Sequence, residues 1–130
     1  MTTEERLAEF LRVLSKTSKN GLILGGPDLQ LKPLLEKYLP GRRLVFWDPA
    51  SQEDLETVLV SSFWPGCTAC LQLDERAGVE VFRVLEELLS EACLTVAGLP
   101  RHAPEGWQLL IHSPPGHMPF SSLISYHIRI

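Results

Sequence analysis

The sequence predicts one three-layer α/β domain over residues 1–130, with a mostly parallel sheet and helices on both faces. Short apolar runs alternate with amphipathic segments of helical period. Runs such as Leu22-Ile23-Leu24 and Leu44-Val45-Phe46-Trp47 are apolar throughout, the mark of strands covered on both sides. Each run ends in a turn signal and is followed by a helical stripe, the order that crossovers in a parallel sheet require.

The elements follow in order. Thr2 with Glu5 fits a capping box for a helix over 3–18, and Leu7, Phe10, Leu11 and Leu14 share its apolar face. Asn20-Gly21 stops it. The first strand, 22–25, runs into Gly25-Gly26-Pro27-Asp28. The next helix starts late, with Pro33 in its first turn, because an interior proline would cost a donor and clash. It ends near Leu39, before Pro40-Gly41. The second strand, 43–47, ends at Asp48-Pro49. Ser51 and Asp54 resemble a capping box for a third helix with Leu55, Val58 and Leu59 inward. The third strand, 68–73, closes in Asp74-Glu75. Val79 to Ala92 is the clearest helix, and 93–97 the fourth strand of the sheet. Beyond Gly98 helical periodicity stops: a loop over 101–106, a strand from Trp107 to His112, a proline-rich loop, and a last strand over 122–130. With no helix between them, these two strands are expected to close the sheet as an antiparallel or edge pair.

Net charge is -4 with a pI near 5.5, which argues against a broad non-specific nucleic-acid footprint, since that needs clustered Lys and Arg. No apolar run is long enough to span a membrane. The acidic start Met-Thr-Thr-Glu-Glu-Arg does not fit a secretory leader, so a cytoplasmic protein is expected. Three cysteines, Cys67, Cys70 and Cys93, are not a disulfide framework.

Three constellations carry candidate chemistry. Gly25, Gly26, Pro27 and Asp28 follow the first strand, and Asp74 and Glu75 end the third; both groups belong at the carboxyl edge, where ligands of doubly wound sheets bind. The bland reading is that Asp74 and Glu75 open a helix, where acids suit the dipole. Phe63-Trp64-Pro65-Gly66-Cys67-Thr68-Ala69-Cys70 carries a C-x-x-C, which at a helix start lowers a thiol pKa. Here Leu71-Gln72-Leu73 continues as a strand, so two buried cysteines are the simpler account. Trp107, Met118, Phe120 and Tyr126 lie among prolines and form a candidate protein-contact surface, against the alternative of packing around the last strands. The four histidines have no metal-ligand spacing, so no metal is expected.

The glycine turn after strand one, with the apolar run ending in Asp74-Glu75, resembles the P-loop NTPase fold in its RecA-like and AAA+ branches over roughly residues 20–130. In that family the equivalent features hold phosphate and magnesium. The stretch Gly25 to Pro33 departs from G-x-x-x-x-G-K-[ST]: Pro27 removes an amide and Asp28 sets a negative charge beside the phosphate position. The resemblance therefore implies a domain without a working phosphate loop and without a cofactor. Clamp-loader subunits of the delta type and the division inhibitor SulA are such relatives. They imply a non-catalytic module binding a protein or a second copy of itself, in DNA replication, recombination or cell-division control. Two alternatives stay open. Gly25-Gly26 with Asp48 resembles a class I methyltransferase, in which an acid after strand two grips the cofactor ribose. Cys67 and Cys70 resemble a thioredoxin site.

Overall fold

The computed structural model describes residues 1–17, 19–26, 28–116 and 121–130. Its main sheet has five strands: β1 (Gly21–Leu24), β2 (Arg43–Trp47), β3 (Cys67–Gln72), β6 (Gln108–Ser113) and β7 (Tyr126–Arg129), in the order β2-β3-β6-β1-β7. Every pairing is parallel. The expected antiparallel closing pair is not observed: β6 inserts between β1 and β3, and β7 adds on the far side of β1. Parallel entry requires the chain to return to the amino edge, and between β3 and β6 the helix over Val79–Glu91 makes that return.

Helices α1 (Thr3–Ser15) and α2 (Leu31–Tyr38) cover one face; α3 (Leu55–Ser61) and α4 (Val79–Glu91) cover the other. The capping box of α1 forms, with the Glu5 amide donating to Thr2 Oγ1 at 3.1 Å. Pro33 sits in the first turn of α2, as its chemistry requires. The cap of α3 is Asp54 alone, accepting from the Thr57 amide at 3.1 Å; Ser51 instead accepts from Glu53 one turn earlier.

Period-two alternation splits the inner strands between two cores. Leu22, Leu71, Leu109 and Ile111 join α3 and α4, while Ile23, Cys70 and Leu110 join α1 and α2. Gly21 has no room for more: a Cβ there would lie 2.7 Å from the Leu14 side chain.

The segment 93–97 departs from expectation. β4 (Cys93–Val96) is not in the main sheet; it pairs antiparallel with β5 (Leu99–His102) in a separate hairpin. Residues 101 and 102, expected in a loop, belong to β5. Ala97 and Gly98, both at positive φ, make the two-residue turn that matches strand twist.

Candidate functional site

Parallel strands bring their carboxyl ends to one edge, and loops after β1, β2, β3 and β6 meet there. β6 lies between β1 and β3, so the Gly25-Gly26 turn and Asp74 flank it two strand spacings apart, about 10 Å. Gly25 is buried, with space only for hydrogen: a Cβ would fall 2.8 Å from the Ile130 side chain. Its amide donates to Ser113 O at 3.1 Å, and the Leu29 amide turns back onto Gly26 O at 3.4 Å. Two amides around this turn are thus already engaged. Pro27 lies outside the described residues; Asp28 is exposed.

The α2 N-terminus bears on the motif. Counting G-x-x-x-x-G-K-[ST] from Gly26 puts Leu31 at the second glycine, Lys32 at the lysine and Pro33 at the hydroxyl. Counting from Gly25, as in the sequence reading, hides this lysine. Lys32 lies in the first turn of α2, its Nζ 5.2 Å from the Phe46 ring centre. Gln30, the N-cap, makes no side-chain cap bond. Pro33 has no N–H, so the helix start presents fewer free donors.

A run of open cavities follows the edge. One of about 820 Å³ is bounded by Asp28, Gln30, Lys32, Pro33 and Gln72. A smaller one, about 200 Å³, lies under Lys32, Phe46, Trp47, Asp48 and Gln72. A third, about 350 Å³, reaches Asp48, Asp74 and Arg76.

Asp74 is held within its own turn. Its Oδ1 accepts from the Arg76 amide at 2.8 Å, and its Oδ2 from Arg76 Nε at 2.9 Å and Nη2 at 2.5 Å. That guanidinium keeps the Asp74 carboxyl below its ordinary range. Glu75 is exposed. Neither acid opens a helix, since α4 starts only at Val79.

His112 was not singled out by sequence. It is the next-to-last residue of β6, at 1% exposure, in register with Ile23 and Gln72. Among the described residues neither ring nitrogen has a well-formed hydrogen bond. Burial pushes the imidazole below its ordinary pKa, and the adjacent backbone of Gly25 and Gly26 only partly offsets this. An isolated polar residue inside an apolar strand, Leu109 to His112, was the available signal.

The other candidates separate. Cys67 and Cys70, three apart on a strand, point to opposite faces: Cys67 packs with α3 and α4, Cys70 with α1 and α2. Burial raises both thiols, Cys70 to about 12, so the thioredoxin-like alternative has neither a closable pair nor a reactive thiolate. Asp48 accepts from the Ala50 amide at 2.8 Å, forming a turn. It lies three strand spacings from the Gly25 turn, about 14 Å. One ribose-sized group does not bridge that distance, which removes the basis for the methyltransferase alternative. Trp107 is a core residue, 6% exposed, its Nε1 donating to Ser62 Oγ at 3.0 Å and its ring edge-on to Phe63. The expected contact surface therefore loses its first member. Tyr126 is half-buried against α1 and α2; Met118 and Phe120 lie outside the described residues. Among the described residues no helix is long and apolar enough to cross a membrane, and no cluster of His, Cys, Asp or Glu could hold a metal ion.

With this geometry in place, the chain can be set beside known proteins. No family model and no curated protein matches it by sequence. Solved structures do match by shape. A RuvB variant from Thermotoga maritima superposes with a TM-score of 0.62 at 15% identity, covering 98% of this chain and 44% of that one. A second RuvB variant from the same organism gives 0.64 at 14%, covering 100% and 46%. NtrX from Brucella abortus, solved in complex with ATP, gives 0.55 at 13%, covering 100% and 37%. The fold is AAA+-like. The chain spans less than half the length of each of these structures.

Proposed function

We propose that this chain is a non-catalytic AAA+-like module that works by binding another protein, or another copy of itself, and does not turn over nucleotide. The observation that carries the reading is the content of the phosphate-loop position. Leu31 and Pro33 stand where the motif has glycine and a hydroxyl, so close backbone approach and a magnesium-ligating oxygen are both missing. Both oxygens of Asp74, the acid that would assist magnesium, are occupied by Arg76. Lys32 alone supplies charge without the cradle. A role in DNA replication, recombination or cell-division control is proposed on fold likeness alone.

Titration calorimetry with magnesium-ATP is the test. The wild-type chain is expected to give no micromolar binding, and such binding overturns the reading. The double substitution Leu31→Gly with Pro33→Thr restores the motif around Lys32 and is expected to gain measurable affinity. If it gains none, Lys32 is not placed as the spacing implies.

A further inference from the structure

Away from the carboxyl edge, the β4–β5 hairpin stands off the end of α3 and leaves an open groove of about 590 Å³. Val60, Phe63, Trp64 and Val96 give it apolar walls, with Arg101 and His102 on the hairpin side. Trp64 is 58% exposed and Leu99 63%, unusual for large apolar side chains in a chain whose other aromatics are mostly covered. Register explains Leu99. It stands opposite Val96, and Arg101 opposite Leu94, so both share the face on which Leu94 is buried. That inward face continues past the end of its cover.

The charge on this surface is the reverse of the molecule's. The chain carries -4 overall, yet no acid lines the groove, and Arg101 has no ion pair among the described residues. Near its turn the hairpin resists strand addition. Beside the two-residue turn, Thr95 and Pro100 form the pair whose backbone groups point outward. Pro100 has no N–H, and the Thr95 amide donates to Glu87 Oε1 at 3.1 Å.

We propose that this groove binds a protein segment carrying an apolar or aromatic anchor beside a carboxylate, the anchor against Trp64 and Phe63 and the carboxylate on Arg101. Aromatic and Arg side chains are the usual anchors of such contacts, and an unpaired guanidinium favours a bidentate acid. Single-stranded nucleic acid fits less well: it needs a row of cations along its phosphates, and the groove has the one guanidinium of Arg101 among apolar walls. The proposal deepens the protein-binding reading above and rests on it.

A displayed random-peptide library panned on the full chain tests it. Enriched peptides are expected to place Asp or Glu within a few residues of an aromatic or large aliphatic side chain. Fluorescence anisotropy with one such peptide should show at least a tenfold weaker Kd for Trp64→Ala and for Arg101→Glu, and weakening with salt. Both side chains are exposed, so melting curves should overlay wild type. No enrichment, enrichment of basic peptides, or unchanged binding by both variants overturns the proposal. Oligo(dT) binding lost in Trp64→Ala would assign the groove to nucleic acid, and a dimer dissociated by Trp64→Ala would assign it to a second copy; either overturns it. Micromolar magnesium-ATP affinity, by contrast, would sink the non-catalytic reading and leave the peptide result standing.

Discussion

The two edges of the sheet are built on opposite plans. At the amino edge polar groups converge and are satisfied. Gln108 Nε2 faces the carbonyls of Leu14, Thr17 and Lys19, while its Oε1 accepts from Thr68 Oγ1 at 3.1 Å. Arg42 donates to Thr68 Oγ1, Cys67 O and Gly106 O, and Asn20 Oδ1 accepts from the Leu109 amide. At the carboxyl edge His112 is buried without a well-formed bond, and α2 starts without a side-chain cap. A satisfied network fixes one arrangement, whereas the uncapped start of α2, whose Gln30 borders an open cavity, leaves backbone donors for a ligand or partner to complete. Stability is therefore concentrated at one end of the strands and adaptability at the other.

Substitutions at the amino edge should have the largest effects. Trp107→Ala removes a buried ring, its T-shaped contact with Phe63 and the bond to Ser62, and is expected to cost about 3–5 kcal/mol in urea denaturation. A loss within error would return Trp107 to the surface. Gln108→Leu keeps the volume but strands buried carbonyls at the end of α1; about 1–3 kcal/mol is expected. If it proves neutral, water replaces the amide and the contrast between the edges is weaker than drawn.

Much of this architecture is legible in the sequence. Apolar runs at 22–24, 44–47 and 69–73 locate three of the five strands, and the Thr2–Glu5 box locates the start of α1. Topology is not local, however. That β6 inserts between β1 and β3 depends on the long-range match of Leu109, Leu110 and Ile111 to both cores, which no spacing encodes. The hairpin was missed because its turn uses Ala97 at positive φ, where Asn or Asp is the usual signal. Trp107 was misplaced because proline-flanked aromatics read as surface until the buried hydroxyl of Ser62 is seen to receive the indole N–H. At the site, the glycine turn and the Asp74 position were legible; His112 was not, since its burial depends on which strands flank β6, and the spacing of Lys32 was present in the sequence but hidden by counting from Gly25.

The carboxyl edge should answer to pH more than to truncation. The folded state holds His112 neutral, with its pKa below the unfolded value, so the unfolded chain binds more protons in acid. Stability is then full above about pH 6.5, the unfolded histidine range, and falls as pH drops towards the lower folded pKa. His112→Leu is expected to flatten this acid limb while changing neutral-pH stability by no more than about 1 kcal/mol, because an imidazole without a well-formed hydrogen bond among the described residues is exchanged for an apolar side chain. Denaturation midpoints at neutral and mildly acidic pH decide it. An unchanged slope in the variant would assign the acid loss to other groups.

The smallest effect is expected where the proposed function depends on it most. Arg76 holds Asp74 through two side-chain bonds within one exposed turn, and such surface pairs contribute little to stability. Arg76→Ala should leave the urea midpoint unmoved within error. The local electrostatics should nevertheless change: without the guanidinium, the Asp74 carboxyl pKa rises towards its ordinary value, read by a carboxyl-carbon NMR titration. The sign follows from linkage. A carboxyl depressed in the folded state adds stability above the unfolded pKa and loses it as pH falls through the folded pKa, so the variant should lose less stability between those two values. The same variant frees Oδ2 of Asp74 beside the cavity shared with Asp48, while Oδ1 keeps the amide of residue 76. If magnesium-ATP binding appears in Arg76→Ala but not in wild type, Arg76 is the lock on a residual site. If it appears in neither, Leu31 and Pro33 are sufficient to silence the loop, and the difference between the two edges was set before Arg76 mattered.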